Sequence, residues 1–345
     1  MAPPKRTDMV GGRPTLKSIA EKTGLAITTI SKALRGDGNF SAETIRRIQQ
    51  VADEVGYRPN RSGVGLRTGR TYIITVAFDH TEDISDFERQ IVSGVASQLS
   101  GTRYELSLIP IFPGMDEVEL FRSIAGLRRA DGIIFTNTMP DDPRVRLLAD
   151  MKFPFATHGR TQLRTPHPYY DFDNEGFCYL AARRLAGKGR RRLAFASGSP
   201  GLTYFQHALA GLDRASRETG VSIGRLDPHM GTAPYAARLH EAVEAAARAG
   251  RLPDGIISSS DIGTLAILDA LYNAGIEVGR DIDIVSRKTS SILDFCHPRV
   301  DTVSEDLAEA GRILARFLIG SIDGLPAQDL QLVGAPRPNW VPDPA

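Results

Sequence analysis

The chain has 345 residues, 41% of them hydrophobic and 24% charged, with 42 Lys and Arg against 41 Asp and Glu and a net charge of +1. That length allows more than one ordinary core, and no segment approaches the roughly twenty apolar residues of a bilayer span. Two cysteines far apart, Cys178 and Cys296, fit a reducing cytosol rather than a disulfide scaffold, each as a small core residue.

The near-neutral total hides a segregation of charge. Residues 1–70 carry 13 Lys and Arg against 6 Asp and Glu, a surplus of seven, so the remaining 275 residues carry a net −6. A cationic head suits a phosphate backbone and a mildly acidic body does not.

In chain order, residues 1–14 place Lys5, Arg6 and Arg13 among Pro and Gly with no apolar run. They read as a disordered basic arm and not as a signal peptide. Thr15 then caps a first helix whose Leu16, Ile19 and Ala20 share one face. Gly24-Leu25-Ala26 breaks it after about two turns, the glycine signal of a helix-turn-helix corner. In the second helix Ile30, Ala33 and Leu34 pack inward and leave Ile27, Thr28, Ser31 and Lys32 outward. Ser41 caps a third helix, in which Ile45, Ile48, Ala52 and Val55 recur at helical spacing.

The runs T-L-x-x-I-A, G-L-A-x-x-T-I-S-K-A-L, S-A-E-T-x-x-R-I and V-G-Y-R-P-N-R follow one another over some fifty residues. This head resembles that of the lactose-repressor (LacI/GalR) family of bacterial transcription regulators. The resemblance implies a homodimer on a pseudo-palindromic double-stranded operator, with a recognition helix in the major groove and a hinge helix in the minor groove. It puts Ile27, Thr28 and Lys32 where bases are read and Thr29, Ser31, Asn39, Ser41, Thr44, Tyr57, Asn60 and Arg61 where DNA is held. Leu66 matches the wedge leucine. Ala26 departs from the usual capping Ser or Thr, at a cost of about 1 kcal/mol. Gly63 and Gly65 stand where hinge alanines are usual, each at about 1 kcal/mol of helix propensity, so the hinge is expected to be unstructured off DNA.

Beyond Arg70 strand-like and helix-like runs alternate. Strands are expected at 72–78, 105–111, 132–135, 155–157, 192–196, 255–258 and 283–285. Helices are expected at 87–99, 118–127, 144–151, 177–185, 204–219, 235–249 and 262–274. Such alternation predicts an α/β body of parallel sheets covered by helices on both faces, divided into two smaller sheets. The body motifs D-G-I-I (131–134), D-F-D-N (171–174), G-K-G-R-R-R-L-A (187–194), A-L-A-G (208–211) and S-S-S-D-I-G-T-L-A (258–266) stand in the order of the same family. The implied body is similar to the periplasmic sugar-binding proteins, with two Rossmann-like lobes around an effector cleft. The expected organisation is an arm at 1–14, a head at 15–61, a hinge at 62–70, a body at 71–335 and a tail at 336–345. Lobe 1 takes about 71–170 and 303–325, and lobe 2 about 171–302. The tail lacks leucine heptads, so a dimer rather than a tetramer is expected.

A cleft in open parallel sheets forms at the carboxyl ends of strands. By that rule Asp79, His80, Thr136, Asn137, His158, Arg160, Ser260, Asp261, Arg287 and Lys288 line it, and Phe87 and Phe205 stack on a ring. Asp173 is a ligand acceptor or a helix cap. Ala208 stands where many relatives place a sugar-gripping arginine, and Ser286-Arg287-Lys288 replaces a Gly-aromatic-Asp. With Arg160, these cations favour a sugar phosphate or sugar acid. The alternative is a neutral sugar, with Arg287 and Lys288 turned to solvent.

No Walker lysine motif, GxSxG elbow, HExxH or metal-ligand pair occurs. The expectation is therefore no enzyme, no cofactor, no metal and no membrane partner. The resemblance implies a cytoplasmic repressor of carbohydrate-uptake or carbon-metabolism genes controlled by a small-molecule effector. A solute-binding protein, or an activator using the same head, are the alternatives.

Overall fold

A computed structural model describes residues 14–34, 38–57, 69–79, 85–198, 200–226 and 234–342. The chain divides into two compact units, residues 1–71 and 72–345. The arm, Asn60, Arg61, Leu66, the hinge glycines Gly63 and Gly65, and His80 lie outside the described residues.

The described residues of the first unit form three helices: α1 (Leu16–Thr23), α2 (Ile27–Ala33) and α3 (Ala42–Glu54). At the start of α1 the Thr15 N–H donates to Ser18 Oγ at 3.2 Å. Gly24 ends the helix in the left-handed region at φ 72°, and its N–H returns to the Ala20 carbonyl. Only glycine enters that conformation without strain, so the corner is set locally. Ala26 offers α2 no side-chain cap, whereas Ser41 Oγ accepts the Thr44 N–H at the start of α3. Ile19, Ile30 and Ile48 are fully buried and Ala33 and Ala52 complete the centre. Ile45, expected inward, is only half-buried, and Val51 packs on the cluster. Arg47 spans the unit by donating to the Thr23 carbonyl at 3.2 Å, a cation at a helix C-terminus.

The described residues of the second unit form two six-stranded sheets. The first contains β1 (Ile73–Asp79), β2 (Glu105–Ile111), β3 (Gly132–Phe135), β4 (Phe155–His158), β5 (Tyr169–Phe172) and β11 (Gln331–Gly334), in the order β11-β5-β4-β3-β1-β2. The second contains β6 (Arg192–Ala196), β7 (Ser222–Arg225), β8 (Gly255–Ser258), β9 (Asp283–Lys288), β10 (Asp301–Ser304) and β12 (Arg337–Asn339), in the order β12-β10-β9-β8-β6-β7. Every pairing is parallel except β12 on β10. The central strands β3 and β8 are buried throughout, which is why they read as unbroken apolar runs.

Helices cover both faces of each sheet. On the first, α4 (Ser85–Leu99) and α11 (Leu307–Ile322) form one core layer, and α5 (Glu117–Gly126) and α6 (Pro143–Asp150) the other. On the second, α7 (Asn174–Gly187) and α8 (Thr203–Thr219) lie opposite α9 (Tyr235–Arg248) and α10 (Asp261–Asn273). Close helix crossings fix both layers. A Cβ on Gly94 would collide with the Ala308 carbonyl where α4 meets α11, and one on Gly211 with the Glu175 carbonyl where α8 meets α7.

The chain crosses between sheets three times, after Phe172, after Ser304 and between β11 and β12. Tyr169–Phe172 ends in the first sheet and Asp301–Ser304 in the second, so the D-F-D-N motif is split between a strand and a helix cap. The proline-rich tail is no loose end. It supplies β12, and the Val341 N–H donates to Asp301 Oδ1 at 2.6 Å. Arg184 holds both sides of that join, pairing with Asp301 at 2.9 Å and donating to the Val341 carbonyl. Short strands of this kind take their place from their partner, which sequence periodicity does not register.

Candidate DNA-binding surface and effector cleft

On the head, the α2 surface that the corner leaves outward carries Ile27, Thr28 and Lys32; Ile27 and Thr28 are exposed, with 47% of Ile27 open to solvent, and Lys32 is likewise exposed. Thr29 and Ser31 are half-buried beside them. An isoleucine so exposed on a seven-residue helix has no packing purpose within the head. Asn39 and Ser41 are exposed, while Thr44 and Tyr57 are half-buried. Ser41 Oγ lies 2.8 Å from Thr44 Oγ1 as well as capping α3, so the two hydroxyls form one polar point.

In the second unit the loops at the carboxyl ends of the two sheets meet. The Thr138 carbonyl accepts the Thr203 N–H at 2.9 Å and the Thr203 hydroxyl at 3.1 Å. Gln162 donates to Gln206 at 2.8 Å, and Gln90 donates to the Thr289 carbonyl. The loop after β3 is itself clamped, because buried Arg144 bonds the Thr136 and Asn137 carbonyls and pairs with Asp142 and Glu117. Asn137 sits in that loop at φ 56°.

Behind these contacts lies a buried polar junction. His158, ending β4, meets Glu305 at 2.9 Å, and Glu305 also pairs with Arg287 of β9. The Phe87 ring meets the His158 ring edge-on at 5.2 Å, and the Arg287 guanidinium lies 5.0 Å from the Phe172 ring centre. Burial works to raise the Glu305 carboxyl, but the Arg287 charge and the bond to His158 overcome it and hold it at about 2. Next to this group Arg160 Nε stands 3.0 Å from Asp171 Oδ2, and His207 of α8 stands 3.7 Å from the same oxygen. Burial pushes Asp171 up to about 6 despite the adjacent Arg160 charge. Burial, and then the Arg160 charge, hold His207 down to about 4.

Several of the remaining sequence-predicted residues have other partners. Asp79 ends β1. Asp173 caps α7 through Gly176, and Ser260 caps α10 through Gly263. Asp261 accepts from the N–H and hydroxyl of Thr289 and so holds the loop after β9. Phe205 faces the core of its own lobe, 5.8 Å from Phe195, instead of presenting its ring to the cleft. Arg287 and Lys288 do not turn freely to solvent: Arg287 is buried on Glu305, and Lys288 is paired with Asp294. Sequence reasoning misses Asp171, His207, Glu305 and Arg144. Only Asp171 carries a sequence signal, as the first residue of the D-F-D-N motif.

Among the described residues no helix is long and apolar enough to cross a membrane, and no group of His, Cys, Asp and Glu is placed to hold a metal.

Residues 15–60 match the bacterial regulatory proteins of the lacI family, and residues 182–341 match a periplasmic binding protein-like domain. The transcriptional regulator AglR of Rhizobium meliloti is 31% identical over 316 residues, covering 89% of this chain and 87% of that protein. This chain belongs to the lacI family. Like AglR and the 28% identical CelR of Thermobifida fusca, which aligns over 93% of this chain and 95% of its own, it is a transcriptional regulator and not an enzyme. A solved CelR–cellobiose complex superposes with a TM-score of 0.66 at 26% identity, covering 95% of this chain and 98% of that one. The lac repressor dimer bound to operator and an anti-inducer shares the fold at a TM-score of 0.80 and 18% identity, over 95% of this chain and 98% of that one.

Proposed function

We propose that this lacI-family regulator is a cytoplasmic homodimeric repressor of carbohydrate-uptake or carbon-metabolism genes, and that a neutral carbohydrate bound between its lobes controls its hold on a pseudo-palindromic operator. The choice of a neutral effector rests on one observation. Each cation that would attract an anion already has a carboxylate: Arg160 has Asp171, Arg287 has Glu305 and Lys288 has Asp294. An anion would have to compete with these carboxylates, and at Glu305 and Asp171 it would do so in a desolvated junction, where like charges repel most strongly. The relatives support the same class, since CelR is solved with cellobiose.

On this reading Ile27, Thr28 and Lys32 read bases, and Ser41, Thr44 and Tyr57 hold phosphates. The effector changes the angle between lobes, and segment 62–70 transmits that change to the paired heads. A ligand shifts this equilibrium only by its differential contact with the two lobe arrangements, so it must touch both lobes.

The test is thermal denaturation of the full chain with cellobiose, maltose and raffinose, against glucose 6-phosphate and gluconate. A ligand at a hundred times its Kd adds about 2.7 kcal/mol to the folded state. A rise in Tm with a neutral sugar, together with altered affinity for operators selected from genomic fragments, supports the reading. A rise with the anions alone, or with no compound, overturns it. Repression itself predicts higher reporter expression from the selected operators when the gene is deleted.

A further inference from the structure

Among the described residues, three polar atoms at the interlobe junction are buried without a hydrogen-bond partner: Asp171 Oδ2, His207 Nδ1 and Arg287 Nε. Arg160 lies close enough to Asp171 for an ion pair, yet out of line for a hydrogen bond. The Asp171 side chain is only 3% exposed and that of Arg287 only 9%. Leaving such groups without a hydrogen bond is unfavourable, and more so for charged ones. Cores rarely tolerate several together.

The three atoms come from both lobes. Asp171 lies on β5 of the first sheet, Arg287 on β9 of the second, and His207 on α8 against the second sheet. A carboxylate oxygen only accepts, and a guanidinium Nε only donates. A second anion would be repelled by Asp171, and an ammonium group by Arg160 and Arg287. A pair of neighbouring hydroxyls answers the whole set, since each hydroxyl can donate to one group and accept from another.

We infer that Asp171, His207 and Arg287 together recognise one vicinal diol of the effector, with Asp171 accepting from one hydroxyl, Arg287 Nε donating to its neighbour, and His207 bonding the pair from the second lobe. This rests on the neutral-carbohydrate reading above. Such a diol makes its full set of bonds only when both lobes are in place, which gives the effector its preference for one lobe arrangement. A site built around hydroxyl bonds also rejects an analogue lacking one, because its buried groups are then left unpaired.

Asp171 gives the contact a pH signature. It is faced by Arg160 and His158 from the first lobe, Glu305 at the crossing, and Arg287 and His207 from the second. Burial raises its carboxyl to about 6. A donated hydroxyl favours the ionised form, so affinity rises with pH through that value. His207, held down to about 4, stays neutral over the same range.

Calorimetric titration of the full chain with cellobiose, maltose and raffinose, and with monodeoxy analogues of the sugar that binds, tests the assignment in wild type, Asp171→Asn and His207→Gln. Both variants should bind that sugar at least tenfold more weakly while keeping operator affinity. The wild type should gain up to tenfold between pH 5 and pH 7, and Asp171→Asn should lose that dependence. If Asp171→Asn does not fold, the half-buried His207→Gln carries the decision. A neutral sugar that binds wild type and the folded variants alike overturns this inference alone. Binding of glucose 6-phosphate or gluconate only, or of nothing, overturns the neutral-effector reading beneath it.

Discussion

Glu305 lies immediately after β10, where the chain leaves the second lobe, and its carboxylate pairs with Arg287 one strand away while also meeting His158 of the first lobe. One buried acid therefore joins β9, the crossing strand and β4. Taking away one partner leaves the other charge buried and uncompensated, typically at about 3–5 kcal/mol. Arg287→Met should lose unfolding free energy of that order, and with it Tm. The double variant Arg287→Met, Glu305→Gln should recover a large part of the loss, and a double-mutant cycle by urea denaturation measures the coupling. The sign with pH is also fixed. Glu305 is held at about 2, below the ordinary carboxylate value, so its contribution is present above about pH 4.5 and lost as pH falls toward 2. Glu305→Gln should flatten that part of the acid limb.

The head separates readers from holders. Ile27, Thr28 and Lys32 lie on the outward surface of α2, whereas Ser41 and Thr44 form one hydroxyl point at the start of α3. An Ile27→Ala, Thr28→Ala double variant should return a changed consensus when binding sites are selected. Thr44→Ala should weaken all sites alike. Ser41→Ala should also lose about 1 kcal/mol of stability, because its Oγ caps α3. An unchanged consensus in the double variant would remove α2 from base reading.

Two glycines make the lobe cores possible. A methyl at Gly94 or Gly211 would strike a backbone carbonyl of the neighbouring helix, which cannot yield as a side chain does. Gly94→Ala and Gly211→Ala should each cost about 1–3 kcal/mol. Gly187, at the end of α7, has open space where its Cβ would stand. Gly187→Ala should therefore be neutral or stabilising by up to about 1 kcal/mol. Chemical denaturation of the three variants decides whether clash or backbone entropy dominates at each.

What can be read from the sequence is what is local. Gly24 and the spacing of Ile19, Ile30 and Ile48 determine the head corner and its core within a few turns of chain. The apolar runs of β3 and β8 likewise announce strands buried on both faces. Strands β5, β11 and β12 are not legible, because none carries an unbroken apolar run and each is placed by its neighbour's register. The junction is hidden for a different reason. His158 and Glu305 are 147 residues apart, and no periodicity encodes a contact between side chains of separate lobes. Arg287 and Lys288 look like ligands for an anion because the carboxylates that neutralise them, Glu305 and Asp294, become neighbours only in the fold.

Asp171 should show a conflict between stability and binding. Burial raises its carboxyl from 3.8 to about 6, so the folded chain holds a proton that the unfolded chain has released. For a raised acid the contribution to stability is full below the unfolded value and is lost as pH rises through the folded one. The ionised side chain thus weakens the fold by up to about 3 kcal/mol above pH 6, since each pH unit between the two values is worth about 1.4 kcal/mol. Asp171→Asn removes that loss, and Arg160, whose side chain is 30% exposed, can turn to water when its partner goes. The variant should melt higher than wild type at pH 7.5, and the gap should close as pH falls toward 4. A purely structural Asp171 predicts the reverse, a lower Tm at neutral pH. Melting curves of both proteins across pH 4–8 tell the two apart, and a variant that is more stable yet deaf to the effector would mean that the buried carboxylate, whose Oδ2 makes no hydrogen bond, is kept for the ligand.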